Sequence, residues 1–218
     1  MRFSTSIEEL RKEINRIGVN INQVTKKVNE DNQASLNEFS QILELQKHLK
    51  DTVRQFIRGD FNQVPELIKR IFGSVDIFHA NKNGYQSSIN FICCHDGFTM
   101  WDLVSYNSKH NLLNGENNQD GENNNHSYNH GEEGLTHNLQ ILSLRKQQIK
   151  NMLLILYISQ GIPMLLMGDE MGRTQLGNNN AYCQDNPTTW IDWDRKRDFE
   201  DIFLFTKNII KLRKSYSI

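Results

Sequence analysis

The chain has 218 residues, with 25 Lys+Arg against 26 Asp+Glu and a formal net charge of -1. At ~150 residues per domain, that length suggests one domain and a further piece. The near-zero charge argues against a whole-chain binder of nucleic acid or anionic membrane, which is usually strongly basic. The three cysteines, Cys93, Cys94 and Cys183, show no metal or disulfide spacing, as expected in a reducing setting. The start, MRFSTSIEEL, has no apolar run behind a basic cap, so no signal peptide is read. The most apolar run, Met152 to Ile158, falls short of the ~20 residues that span a bilayer. A soluble cytoplasmic protein is expected, with no membrane partner.

Residues 1–50 read as two helices. Ser6 and Glu9 have capping-box spacing, and Ile7, Leu10, Ile14, Ile17, Ile21, Val24 and Val28 follow at steps of three and four. Glu30-Asp31-Asn32 breaks the pattern. Ser35 and Glu38 repeat the box ahead of Leu36, Phe39, Ile42, Leu43 and Leu49. A helical hairpin or a coiled segment would bury both stripes.

From Asp51 the character changes. Asp51 to Arg58 and Pro65 to Phe72 are predicted as short helices, with Pro65 in a first turn. Ile89 to Cys94 (INFICC) reads as a strand buried on both faces, as in parallel sheets. Asn107 to Asn138 is a long polar stretch, read as an ordered functional loop or a mobile one. Leu139 to Ile158 is predicted as a helix with Leu139, Leu142, Ile149, Leu153 and Leu154 toward the core. Ile162 to Met167 is predicted as a second strand, and Asp201 to Arg213 as a closing helix with Ile202, Phe203, Phe205, Ile209, Ile210 and Leu212 inward. This order is βαβα, which implies a parallel pair and a right-handed crossover. Acidic residues follow each strand: His95-Asp96 after the first and Asp169-Glu170 after the second. In α/β sheets and barrels, ligands sit at the carboxyl ends of strands.

His95-Asp96 is the sharpest candidate. A carboxylate beside an imidazole suits vicinal sugar hydroxyls, one group accepting and the other able to donate. The pair could also act as acid and base, or Asp96 could cap the next helix. Asp169-Glu170 fits a helix cap or a loop salt bridge better than catalysis. His95, His110, His126, His130 and His137 lack zinc spacing. Glu116, Asp120 and Glu122 lack the EF-hand pattern, so no metal and no other cofactor is expected. Tyr128, Tyr182, Trp190 and Trp193 suit either stacking on sugar faces or loop packing.

Five runs carry a resemblance: KDTVRQFIRGD (50–60), SINFICCHDGFTMWDLVSYNSKHN (88–111), NGENNQDGENNNHSYNHGEEG (114–134), SQGIPMLLMGDE (159–170) and GNNNAYCQDNPTTWIDW (177–193). In this order they resemble successive motifs of isoamylase-type glycogen debranching enzymes, of the alpha-amylase family of glycoside hydrolases. The resemblance implies an α/β fold, a (β/α)8 TIM barrel of which residues 50–218 hold only the last two βα units with long loops. It implies α-glucans (glycogen, starch, branched dextrin) as partners and retaining cleavage of α-1,6 linkages. It also implies that Asp96 is the transition-state-stabilising carboxylate and His95 its neighbouring hydroxyl ligand. A retaining mechanism needs two further carboxylates about 5–5.5 Å apart. The family carries them on strands four and five, whose motifs are not found before residue 50. A whole barrel takes ~250 residues. The isolated chain is therefore expected not to hydrolyse glycogen. It is also expected to be poorly soluble or to self-associate, and to be rescued by a fragment supplying the missing N-terminal part of the barrel.

Residues 1–49 are expected to be a segment of unrelated origin. EINRIGVNINQVTKKVNE (13–30) resembles bacterial plasmid mobilisation accessory proteins of the relaxosome. That resemblance implies DNA or a relaxase as partner, although Glu8, Glu9, Glu13 and Glu30 offset Arg11, Lys12, Arg16, Lys26 and Lys27, which makes DNA an unfavoured partner. Three readings follow: a piece of a debranching hydrolase, a mobilisation accessory protein, and a fused reading frame without selected activity.

Overall fold

A computed structural model describes residues 49–74, 76 and 88–216. Of the two helices expected in residues 1–50, all but Leu49 and Lys50 lie outside them. The described residues belong to one compact unit, Gln46–Ile218.

Helix α1 (49–58) buries Leu49 and Val53. It stops at Gly59 (φ 90), whose N–H bonds to Phe56 O at 3.0 Å while Asp60 N reaches Gln55 O at 2.9 Å. A residue without Cβ is suited to this left-handed exit. Helix α2 (Val64–Ile71) carries Pro65 and Glu66 in its first turn and Lys69 and Arg70 in its last, a charge order that suits the helix dipole.

The first predicted strand shrinks to β1 (Ile89–Asn90) and the second to β2 (Ile162–Pro163). They pair in parallel, Ile89 with Ile162 and Asn90 with Pro163, as the βαβα order requires. The ladder from β1 ends early because Ile92 O is taken by a side chain: Arg54 donates to it from Nε (3.0 Å) and Nη2 (2.7 Å). The expectation of burial on both faces fails in part. Asn90, Ile92 and Cys93 are buried, whereas Ile89, Ile162 and Met164 are exposed.

Helix α3 (Met100–Leu103) is one buried turn capped by Thr99 Oγ1, which accepts from Asp102 N at 3.2 Å. Helix α4 (Leu139–Ile158) has the predicted bounds and is capped by Asn138, whose side chain accepts from Gln140 N and Ile141 N. Its inward face differs from the prediction. Ile149 and Leu153 are buried, but Leu139 and Leu154 are exposed. The buried line runs Arg145, Ile149, Met152 and Leu156, and Leu139 lies beyond its end. Helix α4 leads into Gly161 (φ 114), where a Cβ would stand 2.1 Å from Ser88 Oγ. Only glycine allows the approach in which Ile162 N meets Ser88 O at 2.7 Å.

Helix α5 (Arg195–Asp198) is a single turn, and α6 (Glu200–Tyr216) packs on α4. Ile202, Thr206 and Ile209 are buried, whereas Leu212, expected inward, is exposed. Arg213 donates to Tyr157 O and Ser159 O, both at 2.7 Å, and to Gly161 O. It thereby supplies donors to the carbonyls that end α4. Trp101 and Phe199 meet edge to face at 4.7 Å, with the Arg195 guanidinium over the Phe199 ring.

Candidate functional site

His95 and Asp96 sit on the turn that follows β1, at its carboxyl end. Their side chains are 87% and 76% exposed, with Nε2 and Oδ2 3.4 Å apart. The turn is tethered on both sides. Before it, Ile92 and Cys93 are buried, and Arg54 holds Ile92 O. After it, Gly97 N bonds to Asn179 O at 2.9 Å, and Phe98, Thr99 and Met100 are buried. Cys94 Sγ bonds to Asp96 O at 3.2 Å, closing the turn. The result is an acceptor carboxylate and an imidazole presented together to water on a fixed backbone. Neighbouring sugar hydroxyls can meet such a pair without a prior rearrangement. The capping alternative for Asp96 is set aside, because the cap of α3 is Thr99.

Asp169 is placed differently. It is buried, and its Oδ1 accepts from Met100 N at 2.9 Å. Burial outweighs this bond and pushes its carboxyl up to about 7, with a contribution from Glu170. Glu170 Oε2 accepts from Gly168 N at 3.0 Å. Both bonds fit the structural reading of this pair: Asp169 anchors the first turn of α3 from across the chain. Asp102 has the same character and was not singled out in the sequence. It is buried, accepts from Thr174 Oγ1 and Gln175 N, and is raised to about 6 by burial. One signal was available: Thr99-x-x-Asp102 has capping-box spacing.

The polar stretch 107–138 and the loop 172–187 are sewn together by amides. Asn111, fully buried, donates to Asn179 Oδ1 (2.8 Å) and Asp120 O (2.9 Å), and its own Oδ1 accepts from Asn179 N (3.0 Å). Asn179 Nδ2 donates to Glu122 O and Asn125 Oδ1. Asn114 and Asn180 donate to the Asp120 carboxylate and hold it below its usual range. Gly121 makes the approach possible, since a Cβ there would meet Asn179 Oδ1 at 2.3 Å. Arg145 donates to the carbonyls of Asn129, Glu132 and Gly134, and Arg54 Nη1 reaches Asn125 O at 3.2 Å. Of the two sequence alternatives for this stretch, the bonding is that of an ordered loop. Through Asn179 it is continuous with the backbone just after Asp96.

The four candidate aromatics, Tyr128, Tyr182, Trp190 and Trp193, are all exposed. Trp190 borders a cleft of about 390 Å³ with Leu135, Arg173, Leu176, Asp192 and Arg195. Its ring is oriented by a bond from Nε1 to Asp185 Oδ1 at 3.0 Å. Neither His95 nor Asp96 lines that cleft. Among the described residues, no three His, Cys, Asp or Glu side chains are grouped as a metal site would need. No described helix is long and apolar enough to cross a membrane.

Known proteins place this arrangement in context. The chain is 48% identical over 169 residues, 78% of its length, to a glycogen operon protein GlgX homolog of Mycobacterium tuberculosis. It is 48% identical over 168 residues to the glycogen debranching enzyme of Erwinia tasmaniensis and 47% identical over 166 to isoamylase SU1, chloroplastic, of Zea mays. The chain carries a debranching-enzyme segment. It spans 23%, 25% and 21% of the lengths of those three relatives, respectively. The segment superposes on a pullulanase from Bacillus acidopullulyticus with a TM-score of 0.52 at 25% identity, covering 75% of this chain and 18% of that one. It also superposes on a pullulanase complexed with maltotriose from Anoxybacillus sp. LM18-11, with a TM-score of 0.53 at 25% identity, covering 77% and 21%. Separately, residues 12–55 match the family model of the bacterial mobilisation protein MobC. That match contains the run 13–30 and extends into α1.

Proposed function

We propose that the chain is the sugar-contacting portion of a debranching-type glycoside hydrolase that acts on α-1,6 linkages of glycogen, starch or branched dextrin. Asp96 accepts hydrogen bonds from the hydroxyls of the bound sugar and stabilises the positive charge that develops at the reacting carbon. His95 binds a neighbouring hydroxyl. Residues 50–218 are then the last two βα units of a (β/α)8 barrel in a cytoplasmic protein, and residues 1–49 a segment of separate origin. The observation that carries this reading is the exposed His95–Asp96 pair, 3.4 Å apart on a turn tethered at both ends beyond a parallel strand. The debranching names of the relatives and the maltotriose of one structural neighbour supply the substrate class.

Binding and cleavage separate in this chain. Glycosyl transfer by retention needs two carboxylates that flank the scissile bond. Asp169, the acid after β2, is buried against Met100 N, so it is not presented to a sugar. The isolated chain is expected to hold a branched glucan without hydrolysing it. Affinity electrophoresis in branched dextrin and a reducing-sugar assay test this together. Asp96→Asn exchanges a charged acceptor for a neutral amide, and a loss of ~1.5–3 kcal/mol corresponds to at least tenfold weaker retention. Unchanged retention in the variant refutes the role of Asp96. Sugar release by the wild-type chain that is lost in Asp96→Ala refutes the inactivity.

The match over residues 12–55 favours a second reading, a mobilisation accessory protein with DNA or a relaxase as partner. Its test is a mobility shift with duplex DNA across a salt series, where phosphate contacts give a steep slope.

A further inference from the structure

Arg173 and Arg195 both border the cleft beside Trp190, and their charges are not balanced there. Arg195 donates from Nε to Gly172 O at 2.6 Å, so its head lies beside the backbone from which Arg173 springs. Its guanidinium stacks over the Phe199 ring at 4.7 Å, and its Nη1 and Nη2 make no hydrogen bond among the described residues. Arg173 is fixed by three acceptors. Its Nη1 reaches Met167 O at 3.2 Å, and its Nη2 reaches Thr189 O at 3.0 Å and Gln175 Oε1 at 3.3 Å, while its buried Nε has no partner. Neither arginine forms an ion pair among the described residues, whereas Arg197 pairs with Asp198. Asp102, Asp192 and Asp198 favour the Arg195 charge from beyond ion-pair distance, and burial opposes it more strongly. Two cations brought together and partly withdrawn from water without a counter-ion are costly. An anion in the cleft removes that cost, and the planar fork of a guanidinium suits the paired oxygens of a phosphate.

The cleft is built for more than an ion. Its volume of about 390 Å³ falls in the ~300–1,000 Å³ range of small-molecule sites. Trp190 is 57% exposed, and it is held at Nε1 by Asp185 Oδ1 at 3.0 Å and at its backbone N by Asn186 O at 3.2 Å. A fixed indole open to water is a stacking platform for the apolar face of a sugar ring. Asp192, the carboxylate in the lining, accepts from Asp194 N at Oδ1, which leaves Oδ2 for a sugar hydroxyl.

The geometry points to a binding site for a phosphate monoester of a hexose, with Arg195 and Arg173 on the phosphate and Trp190 on the ring. The hexose rests on the debranching reading for its class; the phosphate rests on the two arginines. Two sources carry this chemistry, a free hexose phosphate and a phosphoryl group borne by the glucan.

Titration calorimetry of the full 218-residue chain with glucose 6-phosphate, glucose, inorganic phosphate and adenosine monophosphate tests the site. Glucose 6-phosphate should bind at least about tenfold more tightly than glucose or inorganic phosphate. Arg195→Gln should weaken it at least about tenfold and Trp190→Ala about fivefold, while the exposed control Lys214→Glu leaves it unchanged. Circular dichroism checks the fold of each variant. Arg195 also packs on Phe199, so if Arg195→Gln fails to fold, Arg195→Lys, which keeps the charge and loses the fork, should weaken binding in the same direction. Affinity electrophoresis in phosphorylated and in phosphatase-treated dextrin separates the sources. Stronger retention by the phosphorylated dextrin places the phosphate on the glucan; equal retention together with glucose 6-phosphate binding assigns the free hexose phosphate, and both outcomes uphold the site. No binding of glucose 6-phosphate overturns the inference, as does binding indifferent to the Arg195 and Trp190 variants. Inorganic phosphate or adenosine monophosphate binding as tightly as glucose 6-phosphate overturns the hexose assignment. Glucose 6-phosphate binding that needs Arg195, with dextrin retention indifferent to Asp96→Asn, upholds the cleft and counts against the debranching reading. Asp96-dependent dextrin retention without glucose 6-phosphate binding overturns the cleft and leaves that reading standing.

Discussion

Replacing Asp169 by Asn tests how the site's scaffold is anchored. Asn keeps an acceptor for Met100 N, which Asp169 Oδ1 holds at 2.9 Å, and removes the ionisable group. The folded carboxyl titrates at about 7 against an ordinary 3.8. It binds its proton more tightly when folded, so the stability it contributes is present at low pH and is lost as pH rises through 7. Of the roughly three-unit rise, about one unit is already lost by pH 5, and about two are lost between pH 5 and 8. At about 1.4 kcal/mol per unit this is about 3 kcal/mol. Asp102, at about 6, loses about one further unit over the same range, about 1 kcal/mol. Over pH 5 to 8 these two acids together should therefore lower wild-type stability by about 4 kcal/mol, while His126 and His130, both lowered chiefly by burial, oppose the fall at the acid end of the range. Urea unfolding at pH 5, 6, 7 and 8 should show the Asp169→Asn variant losing about 3 kcal/mol less than wild type across that range, since the histidines act equally in both. The Asn amide also places two donors where Asp169 Oδ2 has no partner, a pH-independent cost, so the slope and not the absolute stability is diagnostic. A variant whose pH profile parallels that of the wild type refutes the buried-acid argument.

Three further outcomes follow from the geometry. Gly161→Ala puts a Cβ 2.1 Å from Ser88 Oγ and 2.7 Å from Ser88 O at φ 114; it should lower stability by more than about 2 kcal/mol, and an unchanged thermal midpoint counts against the close approach. Arg145→Met leaves the carbonyls of Asn129, Glu132 and Gly134 without their buried donor; at ~1–3 kcal/mol for each uncompensated group it should cost several kcal/mol and open residues 129–134 to limited proteolysis. Arg54→Met frees Ile92 O, just ahead of His95-Asp96; glucan retention should fall severalfold although Arg54 touches no sugar, and retention equal to wild type removes its positioning role.

The candidate pair was legible because its signal is local. His95-Asp96 was singled out as polar residues directly after an apolar run, and the structure presents that pair on the turn after β1. Asp169-Glu170 had the same outline but a different fate, because Met100 N captures Asp169 from a segment 69 residues away. No spacing rule contains that distance. The seven-residue span from Glu116 through Asp120 to Glu122 also gave no hint of function. Asp120 is occupied by Asn114 and Asn180, and the second of these lies in the other loop.

The sequence by itself determined four of the described helices, α1, α2, α4 and α6, and the direction of the strand pair. Helix α4 runs from Leu139 to Ile158 because its cap, Asn138, and its exit at Ser159-Gln160-Gly161 act within one turn of the helix ends. The strand–helix–strand order required parallel pairing, which β1 and β2 show. Only the tertiary structure decided where the strands stop and what is buried. INFICC pairs through two residues because Arg54, 38 positions earlier, takes the next carbonyl. Arg54 and Arg145 are buried, and Leu139 is not. Hydropathy orders these residues the other way. A guanidinium reaches burial when several backbone carbonyls from distant segments converge on its fixed fork of donors, and that convergence exists only in the folded chain.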